Sequence, residues 1–224
     1  MTLLDQFHAA VRAQMAEYFM IKALPADRYS HMQWPRMLPM MRFSVDRYRV
    51  EEFGQLMVMR TRAMGGLMQL VTASFMPFLG KSVPYLLIDM MQMQKKRTVF
   101  IEYYDCTAAG VSAPELDAIR KAYSDVPDYA EKPAWYIAER MPCSLIKGVT
   151  DGSEKRLCEM VMTSIEAYAR LCRTAPVDPN NLKKLVEFRS RMLTAGNPSS
   201  ATMEKVLGPD GAKAFFENVV MPMN

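Results

Sequence analysis

Residues 83–91 and 97–105 are apolar runs of strand length, joined through the basic turn Gln92-Met-Gln-Lys-Lys-Arg97. A connection this short lets the second run fold back on the first as an antiparallel hairpin. A parallel crossover needs about a dozen residues or more. Each run carries carboxylates: Asp89 in the first, Glu102 and Asp105 in the second. A strand with a buried face does not tolerate an ionised Asp unless something there uses the charge. Asp89 is therefore the residue that most needs a reason.

The hairpin has company. Residues 43–49 alternate loosely, and 55–61 alternate with Leu56, Val58 and Arg60 on one face. Gly65-Gly66 is a hairpin-type turn, and 67–75 resumes an extended pattern. Consecutive strands with short turns predict an antiparallel sheet. Before it, apolar residues at Leu4, Phe7, Val11, Met15, Tyr18 and Ile21 have helical spacing over 3–23. The stretch 25–42 holds three prolines and reads as irregular. After the sheet come a helix over 114–122 with Ser112 as its cap, an ambiguous segment 135–140 and a last short strand at 143–147. A helix follows, opened in capping-box style by Asp151-Gly-Ser-Glu154, with the stripe Leu157, Val161, Ile165, Tyr168 and Leu171 or Cys172. Further helices are expected at 181–193, 201–207 and 211–220. Strands first and helices after is an α+β pattern: one antiparallel sheet with helices over its faces. The length of 224 residues suits a single domain, 1–224.

Composition excludes several classes. No apolar run approaches the roughly 20 residues that span a bilayer. The start, with an early Asp5 and no basic stretch before an apolar core, does not read as a secretory signal. Four cysteines lie without C-x-x-C spacing and the chain has two histidines, His8 and His31, which argues against a zinc site. Free thiols in a cytoplasmic, monomeric protein are expected. The net charge of +4 is spread out, with no Lys/Arg run interleaved with aromatics as a nucleic-acid groove needs. It suits an acidic partner protein or an anionic small molecule. The 22 methionines serve either general core plasticity or a soft wall around a large, flat apolar ligand.

Motifs for common chemistries are missing. No G-x-G-x-x-G, Walker-type loop or G-x-S-x-G elbow occurs. Any acid–base group must come from carboxylates, tyrosines or basic residues.

Three segments, spread over residues 50–222, carry a resemblance. The first is Met76-Pro77, six further residues, Pro84, then Leu87-Ile88-Asp89. The second is Pro133-Ala-Trp135, then Pro142-Cys-Ser-Leu-Ile-Lys147 and the helix after Gly152. The third is Arg189, the Ser199-Ser200 loop, Val206-Leu207-Gly208 and Ala214-Phe215-Phe216, ending V-V-M-P. In this order, on a strands-then-helices layout, they resemble the ferredoxin-dependent bilin reductases. The resemblance implies a three-layer α/β/α sandwich with a central antiparallel sheet and helices on both faces. It implies a biliverdin-type linear tetrapyrrole bound between the sheet and the C-terminal helices. It also implies no permanently bound cofactor, with electrons arriving singly from reduced ferredoxin or flavodoxin.

It further implies residue roles. Asp89 matches an Asp that reaches the pyrrole nitrogens and lactam oxygens and supplies a proton. Adding an electron to a conjugated bilin makes it more basic, and a buried acid with a raised pKa can then protonate it. The plain alternative is that Asp89 caps a strand end or pairs with Lys95 or Arg97. Thr72 stands where family members carry His or Asn. Arg60 stands where some carry Glu; it could bind a bilin propionate or be a solvated strand residue. Asp151 matches by position a second Asp near the C-terminal helices, although an N-cap role also explains it. Glu102 and Tyr104 should face one side of their strand, Tyr103 and Asp105 the other. Tyr103 or Tyr104 could line the pocket, and Asp105 ends the strand. The expected function is ferredoxin-dependent bilin reduction. The rivals are a non-catalytic bilin binder of the same fold and a tetrapyrrole reductase resembling red chlorophyll catabolite reductase.

Overall fold

Alternating strands with tight turns close into one sheet. The structure is a computed structural model and describes residues 3–35, 37–150, 154–197 and 199–223. Its strands are β1 (Ile21–Ala23), β2 (His31–Trp34), β3 (Met41–Val50), β4 (Gly54–Ala63), β5 (Met68–Met76), β6 (Tyr85–Met93), β7 (Lys96–Tyr104) and β8 (Leu145–Val149). All pairings are antiparallel, in the order β1-β3-β4-β5-β6-β7-β8, with β2 also on β3. From β3 to β7 the sheet is a simple meander, as the short connections require. Gly54 shows how tightly the strands are drawn together. It has φ +146°, and a Cβ there would lie 2.2 Å from the Met76 carbonyl oxygen, so a side chain cannot be accommodated.

Helices cover both faces, giving the three layers. On one face lie α1 (Leu3–Ala16), α2 (Pro114–Ala122) and α3 (Glu154–Thr174). Their apolar stripes meet Leu56, Val58, Ala73, Leu86, Ile88 and Ile101 from the sheet. The expected α3 stripe, Leu157 through Cys172, is buried without exposure. Each such Leu or Ile contributes about 1.5–3 kcal/mol by burial. On the other face lie α4 (Asn181–Thr194), α5 (Ser200–Phe215) and a π-helical turn at Phe216–Val220. Phe188, Met192, Met203, Phe215 and Phe216 pack there against the sheet.

Three local expectations are corrected. The first helix stops at Ala16, and Ile21–Ala23 instead pairs with Tyr48–Val50. The open edge of β3 carries backbone groups that need partners, and these residues supply them. For the same reason the proline-rich stretch contains β2, paired to Met41–Ser44. Helix α2 starts at Pro114 without a side-chain cap, so Ser112 has no capping role; proline in the first turn presets the backbone there.

The loop between Pro77 and Pro84 is pinned to the α3–α4 connection. Ser82 N donates to Pro176 O at 2.8 Å, Asp178 N to Gly80 O at 2.9 Å and Asn181 Nδ2 to Gly80 O at 3.0 Å. The Tyr168 hydroxyl donates to Pro84 O at 2.6 Å. These bonds fix the start of β6, and with it the register that sets which way Asp89 points. No helix among the described residues is long and apolar enough to cross a membrane.

Candidate active site

The face of the sheet under α4 and α5 is built by strict alternation. Met57 and Met59 come from β4, Thr72 and Ser74 from β5, Tyr85, Leu87 and Asp89 from β6, and Glu102 and Tyr104 from β7. Register brings them into lateral rows: Met59 opposite Thr72, Thr72 opposite Asp89, Leu87 opposite Glu102 and Tyr85 opposite Tyr104. Directly opposed side chains share a face.

A cavity of about 270 Å³ lies between this face and α5. Its walls are largely apolar, from Met57, Met59, Leu87, Met203, Phe215 and Phe216. Thr72, Tyr85 and Asp89 line it from the sheet, and Ser199, Ser200 and Lys213 from the helix side. Helix α5 is broken here: Gly208 has φ 74° and ψ 166°, and Pro209 follows it. Four methionines, Met57, Met59, Met192 and Met203, are part of this lining.

Asp89 is the carboxyl on the cavity's sheet side. It keeps partial exposure, and the surface it shows faces the cavity. Burial pushes its carboxyl up to about 6, against the opposing pull of the Thr72 hydroxyl. Thr72 Oγ1 donates to Asp89 Oδ1. A pairing with Arg97 does not form: Arg97 bonds Glu154 at 2.7 Å and the Gln94 carbonyl at 2.7 Å. A carboxyl in this state can hold a proton near neutrality and release it to a more basic group in the cavity.

Beside it, tyrosines make a neutral aromatic wall. Ser74 Oγ donates to Val220 O at 2.7 Å, which leaves it to accept from the Tyr85 hydroxyl at 3.1 Å. Burial raises the Tyr85 phenol above its usual range. Tyr85 stacks on Tyr104 with centroids 6.1 Å apart, and Phe188 closes on Tyr104 at 4.8 Å.

Behind this wall is a buried network that the sequence reading left without a role. Glu102 is 2% exposed and takes hydrogen bonds from Tyr104 Oη at 2.8 Å and Arg140 Nε at 2.5 Å. Arg140 in turn grips Glu131 through both guanidinium nitrogens, at 2.5 and 2.8 Å. Burial drives Glu102 up to about 7 against the pull of Arg140, and the nearby charge of Asp89 adds to the rise. Alternation already placed Glu102 on the same face as Asp89. What was missing was Arg140, which follows a 3-10 turn at Trp135–Glu139 and lies 38 residues away.

The sequence-derived candidates separate. Asp89 and Thr72 meet in the cavity. Tyr103 does not line it: it points to the opposite face, 1% exposed, against Tyr168 of α3 with centroids 6.2 Å apart. Tyr85 lines the cavity in its place, with Tyr104 stacked behind it. Asp105 also leaves the cavity and organises a turn, accepting from Thr107 N at 2.9 Å, Thr107 Oγ1 at 2.6 Å and Val111 N at 3.0 Å. Arg60 sits on the α1 face with Leu56 and Val58, 3.8 Å from Asp46, so it cannot reach a ligand beside Asp89. Asp151 lies outside the described residues.

No family model matches the chain, and no curated protein matches it in sequence. Among solved structures it is similar to phytochromobilin synthase from tomato in complex with biliverdin. The TM-score is 0.78 at 10% sequence identity, over 98% of this chain and 82% of that one. At that identity the likeness is one of fold.

Proposed function

We propose that the protein reduces a biliverdin-type linear tetrapyrrole, held in the cavity between the sheet and α5, with electrons supplied by ferredoxin and a proton by Asp89. The observation that carries this reading is a carboxyl held near pKa 6 on the floor of an apolar cavity, in a fold similar to one solved with biliverdin. Reducing a conjugated bilin adds electrons and protons in equal number. Each added electron raises the basicity of the pigment, and a neutral Asp89 is then a proton donor of suitable strength. Thr72 orients that carboxyl; Tyr85, kept neutral by burial, offers an aromatic edge rather than a charge.

At about 270 Å³ the cavity falls just below the range of about 300–1,000 Å³ that holds most small-molecule ligands. Seating a tetrapyrrole requires the broken stretch of α5 and the methionine side chains to yield, which thioethers do at low cost. Lys213 lines the cavity alongside Glu204 and Asp210 and is the cation there that suits a propionate.

The test is an absorbance titration with biliverdin, followed by addition of reduced ferredoxin. The expected result is a saturable spectral change with Kd near 1 μM or tighter, then conversion to a shorter-wavelength product. Turnover should fall as salt screens docking of the acidic donor. A spectral change without turnover marks a binder rather than a reductase. No spectral change with about 100 μM protein removes the reading altogether.

A further inference from the structure

Three turns meet at the end of the sheet where β2, β4 and β6 finish. Register sets them side by side: Trp34 opposes Met41, Met41 opposes Ala63, Ala63 opposes Met68 and Met68 opposes Met93. Backbone bonds tie them together, with Met64 N donating to Met40 O and Gln94 N to Leu67 O, each at 3.1 Å. Met37, Leu38, Met40, Met64, Leu67 and Met93 stand on these turns, between 46% and 97% exposed. They are six of the ten large apolar side chains exposed among the described residues, gathered within a span of about 20 Å across neighbouring strands.

Single apolar residues on a surface need no reason, but a contiguous patch facing water does. Met64 supplies a second observation. Its φ is 54°, in the left-handed region, and Gly65 and Gly66 follow it. The turn thus holds an exposed methionine where glycine would cost the backbone nothing. The charge of the three turns has one sign: residues 35–42, 62–69 and 91–97 contain no Asp or Glu. Arg42, Lys95 and Lys96 are exposed there. Lys96 Nζ rests 4.6 Å from the centre of the Tyr129 ring, and Arg97 is neutralised by Glu154 of α3 at 2.7 Å.

We propose that this end of the sheet seats the protein on an anionic lipid surface, with Met37, Leu38, Met64 and Leu67 entering the headgroup boundary and Arg42, Lys95 and Lys96 facing lipid phosphates. Apolar side chains flanked by cations are what an anionic bilayer holds at its interface. No helix among the described residues is long and apolar enough to cross a membrane, so the contact is peripheral. Charge argues against a second copy, because a two-fold contact would bring the lysines of both chains together. Shape and composition argue against a rigid acidic protein. The side chains stand on turn tips, and the three turns hold no aromatic residue to anchor a protein interface. A fluid bilayer needs neither groove nor anchor. Met93 lies four residues along β6 from Asp89, about 13 Å, so the patch is distinct from the cavity and independent of the tetrapyrrole reading.

The experiment is co-sedimentation of the full chain with vesicles. Vesicles of phosphatidylcholine alone are compared with vesicles that carry about one third phosphatidylglycerol. Binding to the anionic vesicles is expected at about 1 mM lipid, and it should weaken as salt rises. Leu38→Ser/Leu67→Ser should bind roughly tenfold or more weakly, since two buried apolar side chains are lost. Lys95→Gln/Lys96→Gln should bind anionic vesicles no better than neutral ones. If the leucine variant does not fold, Met64→Gly replaces it: glycine relieves the left-handed backbone, so weaker binding there cannot come from unfolding. No sedimentation with anionic vesicles, or equal binding by every variant, would overturn the proposal. A dimer in light scattering that the leucine variant loses would give the patch to a second copy. One-to-one calorimetric binding of ferredoxin, lost in the lysine variant and without vesicle binding, would give it to an acidic protein.

Discussion

Thr72 and Asp89 are direct partners across β5 and β6, and the hydroxyl of one donates to the carboxyl of the other. A threonine can give or accept a hydrogen bond, so the pair stays bonded whether Asp89 is ionised or protonated. This lets the carboxyl change its proton count without leaving a buried group unsatisfied.

Asp89→Asn should make the folded chain more stable at neutral pH. The carboxyl is raised from 3.8 to about 6 by burial. The folded state then holds a proton that the unfolded state has lost between those two values. Stability present below about pH 4 is therefore lost as pH rises, and it is fully lost above pH 6. The gap corresponds to about 3 kcal/mol. Asparagine keeps the shape and an acceptor for Thr72 but carries no charge. Urea unfolding at pH 8 should show a gain of up to about 3 kcal/mol that vanishes near pH 4. The same variant should bind biliverdin but reduce it roughly a hundred- to ten-thousand-fold more slowly, stalling at a radical visible by electron paramagnetic resonance. A gain independent of pH would mean that Asp89 is not the buried acid described above, and unchanged turnover would move the proton donor elsewhere.

Thr72→Val should shift the pH profile without removing the acid. The hydroxyl stabilises the ionised carboxyl and holds its pKa down. Without it the pKa of Asp89 rises further, by up to about one pH unit for a bond worth about 1 kcal/mol. The donor then stays protonated to higher pH, so the alkaline limb of the rate profile moves up. An unmoved limb would indicate that Asp89 does not set it.

Arg140→Met isolates Glu102. Breaking a buried pair by removing one partner costs about 3–5 kcal/mol. Glu102 is already raised to about 7, and loss of the guanidinium raises it further. The neutral form is favoured at low pH, so the loss should be largest at pH 8 and small below pH 6. Adding Glu102→Gln in the same chain should recover most of it. Failure of the second change to rescue would mean that Arg140 acts through Glu131 alone.

Sequence patterning showed the sheet because its strands have buried faces and short turns, which dictate both alternation and meander order. It singled out Asp89 because a carboxylate in an apolar strand needs a reason, either a benign partner or a use. Tyr103 was harder: alternation separates it from Tyr104, but which side faces the cavity is decided by α3 claiming the Tyr103 side, a contact between residues far apart in the chain. The side of Arg60 is decided in the same way, since its face of β4 belongs to α1 rather than to the Asp89 cavity. The Glu102–Arg140 pair could be found only halfway, because an irregular 3-10 segment delivers Arg140 and carries no periodicity. Strand β2 and the early end of α1 likewise depend on the open edge of β3 rather than on local preference.

Ligand seating should be visible in α5. The helix is interrupted at Gly208-Pro209, where Gly208 leaves helical geometry and Pro209 cannot donate a backbone bond. The residues before and after the break, Met203 and Phe215, are buried against the sheet through the cavity walls. Segments with interrupted hydrogen bonding open first, with free energies well below global unfolding. In the ligand-free protein, amides of residues 199–215 should exchange faster than those of α3. Biliverdin at a hundredfold excess over Kd should slow them by up to about two orders of magnitude, since binding linked to closure adds about 2.7 kcal/mol. In β7 and α3, which the cavity does not touch, the change should be no more than the gain in global stability. Hydrogen exchange with mass spectrometry reads both regions in one experiment. Protection that appears on the α1–α3 face of the sheet and not in 199–215 would place the pigment outside the Asp89 cavity.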